Sequence, residues 1–113
     1  MADLVIGVRN VQGVPVLDLS GEVDSYNSPK LREKMLALIG EGQSKFVVNL
    51  TGVDYIDSTG LGTLVGGLKR ASEKGGTIQI ICPNEQIYKV FSITGLVKVF
   101  EIFDSEQAAF ATA

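Results

Sequence analysis

The apolar positions of this chain repeat with two different periods, which separates predicted strands from predicted helices. Alternation of apolar and polar residues predicts strands over 4–10 and 14–20, with a hairpin turn at Gln12-Gly13. Pro15 predicts that the second strand begins late or pairs on one side only. The polar stretch 20–27 that follows is predicted to be a loop.

Apolar residues spaced three and four apart predict three amphipathic helices, near 29–40, 59–74 and 84–94. Ser28 is the predicted N-cap of the first helix, because Pro29 after it suits the first helical position. The predicted N-cap of the third helix is Asn84. After the last strand, Ser105 is a candidate cap for a short terminal helix.

Three apolar runs between and after these helices predict further strands, at 45–50, 77–82 and 97–103, and residues 51–57 are predicted to be a loop. The predicted order is therefore β-β-α-β-α-β-α-β-α. Strands that alternate with helices favour parallel pairing. We predict a single α/β domain over 1–113: a mixed, mostly parallel sheet of four to five strands after an N-terminal hairpin, with about four helices.

Charge narrows the possible partners. The chain has 10 Lys and Arg against 13 Asp and Glu, a net charge of −3, and its basic residues are scattered along the sequence. Nucleic-acid binding usually requires a basic stripe, and membrane-surface binding often uses a polybasic block, so neither partner is expected. The N-terminus lacks a signal-peptide pattern, and no run approaches the roughly 18 apolar residues of a membrane span. These features predict a cytoplasmic protein.

The residue types also limit the chemistry. The chain has no His and one Cys, so neither the usual zinc ligand sets nor a Ser-His-Asp triad can be assembled. An internal disulfide is excluded, and Cys82 in an apolar run is predicted to be a small core residue. No metal or cofactor is expected.

The stretch "DYIDSTGLG", residues 54–62, is the best candidate for a functional site, because it lies where a strand leads into a helix. In the simplest interpretation, Asp57 or Ser58 caps the helix. Gly60 and Gly62 fit a dinucleotide loop poorly, since the spacing is wrong. An aspartic-protease motif would need a second carboxylate in register, which is missing. Phosphorylation of Ser58 is the interpretation that the surroundings favour.

The chain resembles a known protein family. "YIDSTGLG" is similar to the D-S-[ST]-G-L-G signature of the STAS family, specifically the small bacterial anti-sigma factor antagonists. "LSGEVD" at 19–24, "FVVNLTGVDYID" and "FSITGLVKVFEIF" are similar to other family segments, in the same order. Together they cover nearly the whole chain.

The resemblance implies a phosphorylation-controlled binding protein and no enzyme. Unphosphorylated, such a protein binds an anti-sigma factor that is also a serine kinase, and so releases the sigma factor to activate transcription. Phosphorylation at Ser58, with Thr59 as a possible alternative acceptor, breaks the complex, and a serine phosphatase restores it. The implied partner-binding residues form two segments: Asp24, Ser25, Tyr26, Asp57, Ser58, Thr59, Gly60, Leu61 and Gly62. A monomer is expected.

Two other functions stay open at this stage. The chain could be a STAS subunit of another assembly, such as a stress-complex scaffold or a transporter-associated component. It could also be a small nucleotide-binding protein or enzyme that uses the 57–62 turn. Individual residues have alternatives as well: Asp24 is either a turn acid or a partner contact. Tyr26 is either a rim contact or a lid on the first helix.

Overall fold

A computed structural model of the chain describes residues 3–111. The predicted domain, 1–113, therefore includes four terminal residues that lie outside the described ones. The element order agrees with the prediction, with one short 3₁₀ helix added before the last strand.

The centre of the fold is a five-stranded sheet in the order β1-β2-β3-β4-β5. β1 and β2 pair antiparallel, and every later neighbour pairs parallel, which confirms the predicted α/β fold with a mixed, mostly parallel sheet. The strands span β1 Val5–Val11, β2 Val14–Val23, β3 Lys45–Ile56, β4 Thr77–Ile81 and β5 Glu101–Phe103.

Two strands are longer than predicted. The predicted loops at 20–27 and 51–57 are wrong in part, because β2 continues to Val23 and β3 to Ile56. The two extensions pair with each other, Val23 opposite Ile56, with irregular register along the way. The ends of the two extensions, Val23 and Ile56, are buried. The polar and glycine residues that precede them in each strand obscure the alternation in the sequence. Pro15 pairs on one side only, which is one of the two predicted outcomes, because β2 and β3 first pair at Val16.

The helices lie close to their predicted ranges: α1 Ser28–Gly40, α2 Ser58–Glu73, α3 Glu85–Ile93 and α4 Glu106–Ala111. The prediction of Ser28 as N-cap is wrong, because Ser28 is already the first helical residue and is buried. The Ser28 N–H donates to the Asp24 carbonyl, so the backbone already forms a hydrogen-bonded turn before α1 begins. Asn84 and Ser105 do accept capping bonds, from the N–H groups of Gln86 and Ala108.

The last strand is shorter than predicted. Residues Leu96–Lys98 form a 3₁₀ helix, and only Glu101–Phe103 pair as β5. Gly95, at φ 78°, reverses the chain after α3, and its carbonyl accepts the N–H of Lys98. The turn places Phe100 edge-on against Phe91, with ring centroids 6.0 Å apart. The first part of the apolar run 97–103 therefore packs into the core through Phe100 and does not pair as a strand.

Both faces of the sheet are covered. Helices α1, α2 and α3 bury the larger core on one face, and α4 covers part of the other, where Ala109 packs with Val16, Val47 and Ile81. Val47 and Val48 are both fully buried, so β3 is covered on both faces. Cys82 is buried as predicted, and burial raises the pKa of its thiol.

Candidate functional site

Ser58 lies at the carboxyl end of β3, as the first residue of α2, and its side chain is exposed. The cap is Asp57, whose backbone is extended and whose Oδ1 accepts the N–H of Gly60 at 2.8 Å. Of the two capping interpretations, Asp57 is therefore the one observed. The Ser58 hydroxyl is left at the surface, where it can react with or bind another molecule.

A second segment lies beside this turn because Asp57 also holds it. The other carboxylate oxygen of Asp57, Oδ2, accepts the N–H of Ser25 at 3.1 Å, and the Asp57 N–H donates to the Val23 carbonyl at 3.1 Å. The fold thus brings together the two segments that the resemblance implies for partner binding. We call the exposed surface formed by 24–26 and 57–62 the switch surface.

Within the first segment, Asp24 is a turn acid. Its Oδ1 accepts the N–H groups of Tyr26 and Asn27, each at 3.0 Å, and the side chain is half-buried. Sequence reasoning missed Asn27, which returns the interaction: its Oδ1 accepts the Asp24 N–H and its Nδ2 donates to the Glu22 carbonyl. An Asn directly before a predicted helix was the available signal. Asp24 is held in place at the edge of the switch surface.

Tyr26 does not cover α1. Its side chain is 87% exposed, so the lid interpretation is wrong, and the rim interpretation stays a prediction. Ser25 beside it is also exposed. The tip of this loop therefore presents two side chains to solvent and does not contribute to the core.

The glycines in α2 have different roles. A Cβ on Gly60 would lie 2.8 Å from the Val23 carbonyl oxygen, so this glycine lets the first turn of α2 pack on β2. Gly62 is exposed and has open space where a Cβ would lie. Leu61 is buried in the core. Gly60 and Leu61 thus support the switch surface from below, whereas Ser58, Thr59 and Gly62 form it.

The same glycines do not form a phosphate-binding loop. Gly60 and Gly62 both lie inside α2, and the close neighbour that Gly60 accommodates is the chain's own β2. A dinucleotide loop would present its glycine backbone to the ligand before the helix starts. The geometry therefore disfavours that interpretation of the 57–62 turn.

The electrostatics of the switch surface are one-sided. Its two segments, 24–26 and 57–62, carry two carboxylates, Asp24 and Asp57, and no Lys or Arg. Opposing this, the N–H groups of Ser58 and Thr59 have no acceptor among residues 3–111, and they lie at the positive end of the α2 dipole. The arrangement offers a neutral hydroxyl with backbone donors beside it, inside an acidic surface.

Two further observations concern the described part of the chain as a whole. None of its helices combines the length and the apolar character needed to cross a membrane. Between residues 3 and 111, no group of three or more Cys, Asp or Glu side chains is arranged to hold a metal ion.

Comparison with known proteins adds to this geometry. The protein-family model described as the STAS domain matches residues 6–109 of this chain. The chain is 37% identical to the anti-sigma-B factor antagonist of Bacillus subtilis over 76% of its own length and 78% of that protein. To the anti-sigma F factor antagonist of Paenibacillus polymyxa it is 31% identical, over 92% and 90% of the two chains.

Solved structures share the fold. The phosphorylated form of the Bacillus cell fate determinant SpoIIAA superposes with a TM-score of 0.73, at 22% identity, over 96% of this chain and 100% of that chain. At this identity the likeness is one of fold. The arrangement of the sheet and the helices is therefore found in other solved proteins.

Proposed function

This chain belongs to the STAS domain family, and we propose that it acts as an anti-sigma factor antagonist whose binding is switched by phosphorylation of Ser58. The observation that carries the proposal is the position of Ser58: exposed, first in α2, and beside a capping Asp57. The proposed partner is an anti-sigma factor with serine-kinase activity. A serine phosphatase reverses the modification, and Thr59 is the alternative acceptor.

The relatives support this role through their names, which describe antagonists of anti-sigma factors. SpoIIAA, which shares the fold, exists in a phosphorylated form. Antagonism of another protein requires binding to it and no chemical step. We propose that the present chain likewise acts as a monomeric, cytoplasmic binding protein without catalytic activity.

The fold can tolerate the phosphate. A phosphoserine adds a charge of about −1.5 to −2 at pH 7. At the first position of α2 this charge faces the positive end of the helix dipole and the free N–H groups of Ser58 and Thr59. The domain should therefore stay folded when it is phosphorylated.

The complex with the partner, in contrast, does not tolerate the phosphate. The switch surface already carries the carboxylates of Asp24 and Asp57 and no basic side chain, so a phosphate makes it strongly anionic. A partner face that is complementary to a neutral hydroxyl then meets a misplaced and desolvated charge, which costs several kcal/mol. At about 1.4 kcal/mol per tenfold change, this is a loss of roughly a hundredfold or more in affinity. One covalent group thus switches binding without refolding the domain.

The test uses the anti-sigma factor kinase from the same organism. Incubation with this kinase and ATP should add one phosphate, which mass spectrometry should place on Ser58. Thr59→Ala should leave that modification intact and serves as the matched control. Phosphate found only on Thr59 would contradict the assignment.

Binding by the Ser58 variants then tests the mechanism. Ser58→Ala should bind the kinase as tightly as the parent and should unfold within about 0.5 kcal/mol of it, because an exposed side chain that is not the cap is removed. Ser58→Asp should stay folded but bind at least tenfold more weakly, with a smaller defect than that of true phosphate. Equal binding by Ser58→Asp, or specific capture of a transporter in place of an anti-sigma factor, would overturn the proposal.

A further inference from the structure

A long groove between α1 and α2 begins at the switch surface. It has a volume of about 660 Å³ and is lined by Arg32, Met35 and Leu36 of α1 and by the outward face of α2 from Thr59 to Glu73. Thr59 lines the groove and also belongs to the switch surface, so the groove and the switch surface adjoin.

The shape of the groove suits a segment of polypeptide. Its α2 wall runs from Thr59 to Glu73, and at about 1.5 Å per residue this wall is about 21 Å long. A helix of about 14 residues has the same length. A compact metabolite would occupy only part of such a trough.

The floor of the groove lets another backbone come close. Met35 is fully buried beneath it and Leu36 is half-buried. Gly62 and Gly66 have nothing within 4 Å of the position of a Cβ, whereas a Cβ on Gly67 would lie 2.8 Å from Met35. The packing of Met35 against Gly67 thus fills the bottom of the groove, whereas the backbone at Gly62 and Gly66 is accessible to a bound segment. Small residues in a helix permit close helix–helix approach because no side chain keeps the axes apart.

The rim of the groove is basic. Arg32 and Lys69 are exposed, and among residues 3–111 neither has a carboxylate within salt-bridge distance, while Arg70 lies 3.8 Å from Glu73. The residues that line the groove carry three basic side chains and one acidic one, Glu73, a net charge of +2, in a chain whose net charge is −3. This excess is opposite in sign to the switch surface and complementary to an acidic partner segment.

We propose that this groove binds an acidic amphipathic helix of the partner. The apolar side of that helix would lie on Leu36 and the two open glycines, and its carboxylates would face Arg32, Lys69 and Arg70. The identity of the partner rests on the proposed function, whereas the shape and charge of the groove do not. The groove extends the recognised surface beyond Ser58 and selects partners by charge.

The probe is a fluorescently labelled 15-residue peptide of Glu, Ala and Leu, with Leu repeating at helical spacing. It should bind the unphosphorylated protein in an anisotropy titration, and its NMR chemical-shift changes should map to α1 and α2. The same peptide with Lys in place of Glu should bind at least tenfold more weakly. The Arg32→Glu, Lys69→Glu double variant should also lose at least tenfold in affinity for the Glu peptide. Gly66→Leu should block binding by filling the floor, since the side chain has open space there.

The matched control is the Lys45→Glu, Lys89→Glu double variant, which reverses two exposed charges away from the groove and should leave the affinity unchanged. Circular dichroism should show all variants folded. No binding up to millimolar peptide, equal binding of the Lys peptide, or shifts that map outside the groove would overturn the proposal. The two proposals can fail separately. If the peptide binds but the kinase does not modify Ser58, the groove proposal stands and the phosphorylation proposal fails. If the kinase modifies Ser58 but the peptide does not bind, the phosphorylation proposal stands and the groove proposal fails.

Discussion

Asp57 accepts the backbone N–H of Ser25 across 32 positions of sequence, at 3.1 Å, with the carboxylate oxygen that does not cap α2. The first oxygen accepts the N–H of Gly60 at 2.8 Å. One half-buried carboxylate therefore holds both segments of the switch surface in place. Asp57 was predicted as a partner contact, and its observed bonds give it an internal structural role.

Removing this carboxylate should destabilise the domain. Asp57→Ala loses the cap and the bond to Ser25, and we expect the free energy of unfolding to fall by about 1 to 3 kcal/mol, since a lost cap alone costs about 1. Urea denaturation measures this change. Asp54→Ala, at an exposed position of β3, is the control and should stay within about 0.5 kcal/mol of the parent. A similarly small change for Asp57→Ala would show that water replaces both bonds without cost.

The two glycines at the start of α2 should respond in opposite directions. Gly60→Ala places a methyl group 2.8 Å from the Val23 carbonyl, so we expect a loss of about 1 to 3 kcal/mol in unfolding free energy. Gly62→Ala meets open space and should gain about 0.5 to 1 kcal/mol through better helix propensity. Thermal melts of the pair provide the comparison. Equal effects would mean that α2 shifts to relieve the contact at Gly60.

Two substitutions at Asp24 separate its turn role from its charge. Asp24→Asn keeps an oxygen that can accept the N–H groups of Tyr26 and Asn27, so its melting temperature should be close to that of the parent. Asp24→Ala removes the acceptor and should lower stability by about 1 kcal/mol. Weaker kinase binding by Asp24→Asn alone would assign the charge to the partner interface. If Asp24→Asn binds normally, Asp24 is a turn residue only.

Acid stability should depend on Asp18 of β2. The hydrogen bond from Arg9 of β1, and then the one from Asn49 of β3, keep the pKa of Asp18 below its usual value. Because the folded-state pKa is the lower one, the contribution to stability is present above about pH 4 and is lost as the pH falls further. Arg9 also donates to Glu106 at 2.6 Å, which ties α4 to the sheet.

Urea denaturation between pH 7 and pH 2 checks this. The parent should lose stability more steeply below pH 4 than Asp18→Asn, which has no carboxylate to protonate. Asp54→Asn is again the control and should follow the parent. Parallel curves for the parent and Asp18→Asn would show that the Arg9 interaction contributes nothing to folding.

Local sequence patterns determined much of this protein. The order of strands and helices followed from apolar spacing, and the capping residues Asn84 and Ser105 followed from local hydrogen-bond chemistry. The candidate site was found for the same reason: a hydroxyl, an acid and two glycines within 57–62 act through the backbone of one turn. Interactions over three or four residues can be predicted because the partners are adjacent in sequence.

Only the tertiary structure decided the rest. The strand extensions to Val23 and Ile56 exist because they pair with each other, and neither has a clear alternation of its own. The bond from Ser25 to Asp57 and the basic groove formed by Arg32 and Lys69 join residues that are more than thirty positions apart. The sequence determined which residues could act, through periodicity and local capping. Packing of α1 and α2 on the sheet decided which of them share a surface, because charges and hydrogen-bond partners separated in sequence meet only when the helices bury their apolar faces.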